Sequence, residues 1–262
     1  MVNFNLKSRY TYEDLLQVVH ILRSPGGCPW DQEQTHQSLR PYLIEEAYET
    51  AAAIDADDPD QIADELGDVL LQVVFHADME SDAGNFTMED VVDEVTKKMI
   101  FRHPHVFAQV QADTTEQVLV NWEQLKREEK DQKTAADTLD SVARSLPQLW
   151  RAEKIQKKAA KAGFDWADVS GALEKLEEET VELRRAVESG VGVEEELGDV
   201  LFAAVKVGRF VGVDPETALS GTCEKFIRRF RAVEESVRAS GLEMKDLPLD
   251  ELTALWEQAK RS

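Results

Sequence analysis

Acidic residues recur in this sequence at a spacing that sets them side by side on a helix, and they do so in two separate places. Glu46 and Glu49 lie in "YLIEEAYE" and Glu65 and Asp68 in "ELGDVL"; Glu179 and Glu182 lie in "KLEEETVE" and Glu196 and Asp199 in a second "ELGDVL". Residues three apart are neighbours on a helix surface, so each segment presents a pair of carboxylates. Positions 46 and 68 are symmetric about position 57, and so are 49 and 65; position 57 lies in "DADDPD", whose Asp and Pro residues favour a turn. In the second copy, 179 with 199 and 182 with 196 are symmetric about 189, beside "SGVG". A short connection makes the two helices antiparallel neighbours, and the symmetry then brings all four carboxylates of a copy to one level. Four converging carboxylates at partly buried positions repel one another and take up protons unless a cation compensates them. All-oxygen ligation suits Mg²⁺, with Mn²⁺ as a substitute, and Mg²⁺ readily takes substrate phosphates into its shell.

The plainer reading of any one pair is a solvated helix face, because 52 of the 262 residues are acidic. Recurrence in two halves with matched turn symmetry favours the metal site. A di-iron bundle would want Glu-x-x-His on two helices. The one such match, Glu33 with His36, lies near a Gly/Pro-rich loop and has no second copy.

The elements that must hold these acids are helices. Apolar positions recur at three and four residues almost throughout, with only 8 Pro and 13 Gly, and no stretch reads as a strand. The pattern predicts helices over 11–23, 38–55, 60–82, 87–102 and 114–130, then over 146–161, 171–189, 193–211, 215–240 and 249–260. In the first hairpin the apolar stripes (Leu43, Ala47, Ala51, Ile54; Ile62, Leu66, Val69, Val73) run beside the acids, which therefore edge the helix interface. The two helix sets are a duplication. "GGCPWD" answers "AGFDW", the acid pairs follow, "TKKMIFRH" answers "CEKFIRRF", and "NWEQLKR" answers "LWEQAKR". The polar stretch "KDQKTAADTLD" falls between them, so the expected organisation is all-α with two tandem helical-bundle domains, 1–135 and 136–262.

Composition narrows the function classes. A formal charge of −22 repels a nucleic-acid polymer, although a small polyphosphate remains accessible through a bridging cation. No stretch is apolar enough to span a membrane, and "MVNFNLKSRY" lacks the apolar core of a secretory signal, so the expectation is a soluble cytoplasmic protein. The two cysteines, Cys28 and Cys223, have no metal-type spacing, the five histidines show no triad or zinc spacing, and "HPH" reads as a helix stop. There is no phosphate-binding glycine loop.

"GCPWDQEQTHQSLRPYLIEEAYE", the EExxE and ExxD pairs, "RHPHVF" and "GLEM" followed by "LWEQAK" together resemble the tandem-domain MazG nucleoside triphosphate pyrophosphohydrolases over nearly the whole chain. The resemblance implies the all-α NTP pyrophosphatase fold, Mg²⁺ dependence, a homodimer, and hydrolysis of nucleoside triphosphates to monophosphate and pyrophosphate. By position it assigns the metal to Glu46, Glu49, Glu65 and Asp68 in one half and to Glu179, Glu182, Glu196 and Asp199 in the other. Glu45 and Glu178 would orient or deprotonate the attacking water, or simply face solvent. Lys225 and Arg229 resemble phosphate clamps, with Lys98 and Arg102 as counterparts. Trp256 and Lys260 match Trp122 and Lys126; such a tryptophan can stack on any base, which suits broad base specificity, or can serve as core.

The halves differ in one cation and one proline. Lys175 lies four residues before Glu179, where it can meet a phosphate oxygen, and the equivalent first-half residue is Tyr42. The first half also breaks its basic helix with "RHPH" just after Arg102, which favours the second half as the stronger catalytic site. Two other readings stand beside this one: a deoxynucleotide-specific pyrophosphatase of the dUTPase/dCTPase type, and a non-catalytic nucleotide-binding helical dimer.

Overall fold

A computed structural model describes residues 4–108, 110 and 114–260. Among these residues every regular element is helical and no strand occurs, so the all-α expectation holds. The chain divides into two compact units between Lys126 and Arg127.

The first unit contains α1 (Tyr12–Arg23), α2 (Pro29–Gln32), α3 (His36–Asp55), α4 (Pro59–Asp82), α5 (Met88–Arg102) and α6 (Pro104–Phe107). α7 (Thr115–Glu129) carries the division between the units. α3 and α4 form the expected hairpin. At the start of α3, Thr35 and Ser38 make a reciprocal capping box; at the start of α4, the Asp58 carboxylate accepts from the N–H groups of Asp60 and Gln61, with Pro59 in the first helical position. α1 packs on α4 around a core of Val19, Leu39, Val74 and Phe75, flanked by Leu15, Leu16, Leu71 and Met79. Gly27 is needed where the loop after α1 folds back, because a Cβ there would lie 2.2 Å from the Ile21 carbonyl oxygen.

The second unit contains α8 (Ala135–Asp140), α9 (Gln148–Lys161), α10 (Val169–Ser189), α11 (Val193–Val211), α12 (Pro215–Ala239) and α13 (Leu249–Ala259), with a short 3-10 turn at Met244–Asp246 before α13. α10 and α11 repeat the hairpin, and α9 packs on α11, where the buried Gln156 amide donates to the Phe202 carbonyl at 2.8 Å. Asp165 of the "AGFDW" loop pairs with Lys206 at 2.8 Å and Arg209 at 2.6 Å on α11, and the Lys206 ammonium lies over the Trp166 ring. Phe226 of α12 packs on Trp256 of α13, ring centroids 4.9 Å apart.

Each hairpin leaves apolar side chains uncovered. Ile54 and Leu66 of the stripe expected at the first helix interface are 57% and 51% exposed, and Leu197 and Leu201 of α11 are 48% and 49% exposed. The stripe is wider than one antiparallel neighbour covers. Both cysteines are free thiols.

Candidate metal centres and nucleotide site

The hairpins bring three of each set of four acids together. Glu46, Glu49 and Glu65 place one carboxylate oxygen each within 4.8 Å of the others, and Glu179, Glu182 and Glu196 do the same in the second unit. Asp68 and Asp199, expected as fourth ligands, are exposed and stand outside these groups, so in this conformation each set is a trio with an aspartate beside it. The aspartates are still felt. Burial, then the charges of Asp68, Glu49 and Glu65, hold the Glu46 carboxyl above the usual carboxylate range. Glu65 is pushed up by burial and by Glu49, Asp64 and Asp68; Glu196 by burial and by Glu182, Glu179 and Asp199. In all three carboxyls burial is the larger cause and the neighbouring acids add to it.

The second trio is the more enclosed. Glu179 is only 6% exposed, and its Oε2 is buried with no hydrogen-bond partner. An orphaned buried carboxylate oxygen is costly unless something else satisfies it. With an all-oxygen donor set around it, the arrangement fits a hard divalent cation. Glu179 Oε1 is held by Lys175, whose Nζ lies 2.7 Å from it and 2.9 Å from Glu178 Oε1. Lys175, expected to face a phosphate, is thus engaged by two carboxylates, and Glu178, expected at the attacking water, is bound to Lys175. Its counterpart Glu45 is exposed. In the first unit Tyr42 occupies the lysine's position and meets Trp30 edge-on, centroids 6.5 Å apart.

The proposed phosphate and base residues are on the helices that follow each hairpin. Lys98 is exposed on α5, 4.0 Å from Glu94, and the Arg102 guanidinium lies 5.5 Å from the centre of the Trp122 ring, with the Lys126 ammonium at 4.8 Å. Trp122 therefore already receives two cations. Lys225 is exposed and Arg229 half-buried on α12, which continues unbroken to Ala239, whereas α5 stops at Arg102 with His103 as its cap and Pro104 opening α6. Trp256 is half-buried against Phe226, and Lys260 pairs with Glu257 at 2.5 Å. The ring thus packs on a neighbouring aromatic side chain and keeps part of its surface exposed.

Two clusters were not anticipated. His20, Asp78 and Asp82 form a third acid-containing group, but Arg23 donates to both Asp78 and Asp82, the latter at 3.1 Å, which makes it an ion-paired tie between α1 and α4. His36 Nδ1 lies 2.7 Å from His76 Nδ1, and His36 Nε2 lies 2.6 Å from Glu80 Oε1. The turn symmetry that aligns the acids carried the signal for this cluster, because it sets position 36 opposite 78, between His76 and Glu80.

The sequence relationships agree with the geometry. The MazG nucleotide pyrophosphohydrolase domain matches residues 34–107 and 168–233. The nucleoside triphosphate pyrophosphohydrolase/pyrophosphatase MazG of Thermotoga maritima is 45% identical over 249 residues, 95% of this chain and 95% of that protein. A nucleoside triphosphate pyrophosphohydrolase of Escherichia coli K12 is 46% identical over 252 residues, 94% of this chain and 96% of that protein. The uncharacterised protein YabN of Bacillus subtilis is 46% identical over 97% of this chain, which spans 52% of its length. Each matched segment encloses one acid hairpin and its trio, and on these grounds the chain belongs to the MazG nucleotide pyrophosphohydrolase family.

Proposed function

We propose that this chain is a nucleoside triphosphate pyrophosphohydrolase that converts NTPs and dNTPs, with broad base specificity, to the monophosphate and pyrophosphate. Its relatives from Thermotoga maritima and Escherichia coli are named as nucleoside triphosphate pyrophosphohydrolases. The observation that carries the reading is the paired acid trio, with a buried, unpartnered oxygen, Glu179 Oε2, on a member of the second one. Glu179, Glu182 and Glu196, with Asp199 beside them, would hold Mg²⁺ in one half, and Glu46, Glu49 and Glu65, with Asp68, in the other; Mn²⁺ is the natural substitute. A bound divalent cation supplies charge neutralisation for the triphosphate and a more acidic water.

The chain's own residues do the rest. Lys225 and Arg229 on α12, with Lys98 and Arg102 as counterparts, bind phosphate oxygens and stabilise charge on the departing pyrophosphate. Glu178 and Glu45 orient the water, and Trp256 and Trp122, with Lys260 and Lys126, flank the base. Stacking without base-edge hydrogen bonds underlies the broad specificity. Water adds to phosphorus, the anhydride bond breaks, and no covalent nucleophile is required.

No described helix is long and apolar enough to cross a membrane, and the charge of −22 disfavours nucleic-acid polymers. Small cytoplasmic nucleotides are the partners this surface fits. Each half carries one proposed site, and the exposed Leu66, Leu197 and Leu201 support a homodimer that covers them. The test is chromatography of products from a panel of NTPs and dNTPs with Mg²⁺. Monophosphate plus pyrophosphate from all of them is expected. Orthophosphate release, binding without turnover, or turnover of deoxynucleotides alone would each displace this reading.

A further inference from the structure

We infer that Lys175 is a resting counter-ion of the second acid trio, displaced when a divalent cation enters, so that its ammonium becomes available to an anionic ligand only in the metal-loaded site. The inference rests on the assignment of the second trio as a metal site. Its basis is the position of the Lys175 Nζ, 2.7 Å from Glu179 Oε1 and 2.9 Å from Glu178 Oε1, while the other oxygen of the same carboxylate, Glu179 Oε2, is buried with no hydrogen-bond partner. An ammonium four residues before its partner on one helix face reaches the carboxylate without distortion. With two of its three N–H donors engaged and its charge compensated by two carboxylates, it has little left to offer a phosphate.

A dication beside Glu179 reverses the preference. It takes over the compensation of the carboxylates and repels the nearby ammonium, whose flexible stem lets it swing toward the solvent side, where a polyphosphate would lie. Metal entry and anion capture are then coupled in the second half. The first half lacks the device, because the matching residue on α3 is Tyr42, which has no charge to exchange. Its trio should take the metal without displacing a cation, and its anion binding should gain nothing from this position.

Mn²⁺ titration of the metal-free full chain, followed by calorimetry or electron paramagnetic resonance, tests this directly. In a Glu46→Gln, Glu49→Gln background only the second trio reports; there Lys175→Met should tighten Mn²⁺ binding about tenfold, the scale of one charge removed from beside a partly screened ion. Lys175→Arg, which keeps the charge, should stay near the parent. In a Glu179→Gln, Glu182→Gln background, Tyr42→Lys should weaken the first trio by a similar factor, and this arm also serves if Lys175→Met fails to fold. Inorganic tripolyphosphate is the second probe: without metal its binding should be indifferent to Lys175→Met, and with Mn²⁺ the substitution should weaken it. Unchanged or weaker Mn²⁺ binding in Lys175→Met overturns the counter-ion role alone. Absence of Mn²⁺ binding in the parent overturns the metal-site assignment as well.

Discussion

Glu46, Glu65 and Glu196 are each raised above the ordinary carboxylate value of 4.5, by burial first and by neighbouring acids second. An acid whose pKa is higher in the folded than in the unfolded chain holds its proton longer when folded. As pH rises from about 4.5 through the folded values, the ion-free fold therefore loses stability relative to the unfolded chain, and above that window the loss is complete. A divalent cation removes the penalty and competes with protons for the same oxygens. The expected outcome is a gain in Tm on adding Mg²⁺ to EDTA-treated protein that is larger at pH 7.5 than at pH 5 and shrinks in Glu179→Gln plus Glu182→Gln. An equal gain at both pH values, or none, would show that the trios are not the binding groups. At this scale the acids were legible because two matched copies removed the ambiguity of a single acidic pair. The engagement of Lys175 by Glu178 and Glu179 was not, because residue spacing shows which groups share a face but not which of two anions a lysine selects. The same limit applies to Trp122: Lys126, four residues on, shares its helix face, but nothing in the spacing showed that Arg102 of another helix also lies against its ring.

The hairpin turns set the register on which the trios depend. Between α10 and α11, Gly190 and Gly192 sit at φ +72° and +76°, in the left-handed region that a Cβ disfavours, and open space surrounds both. Gly190→Ala therefore introduces backbone strain without a steric clash, and should lower stability by about 1–2 kcal/mol. Chemical denaturation measures this directly, and a loss below a few tenths of a kcal/mol would mean the turn relaxes to another conformation. A relaxed turn would shift α11 against α10 and should weaken Mg²⁺ binding at the second trio more than at the first. The long helices were readable because apolar periodicity accumulates over many turns. α2, α6 and α8, of four to six residues, fall within segments whose Pro, Gly and polar content read as loop, and α8 owes its start to a Thr134–Asp137 capping box inside the expected boundary stretch. The His36–His76–Glu80 contact joins the start of α3 to α4. The His76 imidazole is held below its ordinary value of 6.5 by burial and by His36. Below about pH 6.5 the unfolded chain takes up that proton before the folded chain does, so this contact weakens the first unit as pH falls, and His76→Gln should flatten that part of its pH–stability curve.

Across the whole chain, the duplication supplies two acid trios but not two equal sites. Both halves carry a Lys/Arg pair and a tryptophan after the hairpin, yet α12 runs from Pro215 to Ala239 with Lys225 and Arg229 well inside it, while α5 ends at Arg102. The Lys/Arg pair proposed as a clamp in the second half is thus on a continuous helix, and the one in the first half is on a last turn whose Arg102 already lies against Trp122. The second half also has Lys175 beside its trio and the more buried carboxylate in Glu179. More cations on a firmer support near the departing pyrophosphate should lower the barrier there. Glu179→Gln plus Glu182→Gln removes two charges from one trio and leaves the other intact; Glu46→Gln plus Glu49→Gln is the matching change in the first half. The second-half variant should lose on the order of 10²-fold or more in kcat, if electrostatic stabilisation dominates the step, and the first-half variant much less. Both should retain helical content and the parent's sedimentation behaviour, since Gln keeps the shape of Glu and relieves repulsion in the ion-free trio. Equal losses from two folded variants would mean that the cations and the unbroken helix of the second half do not decide where turnover occurs, and that the first trio works at the same rate with Tyr42 in place of a lysine.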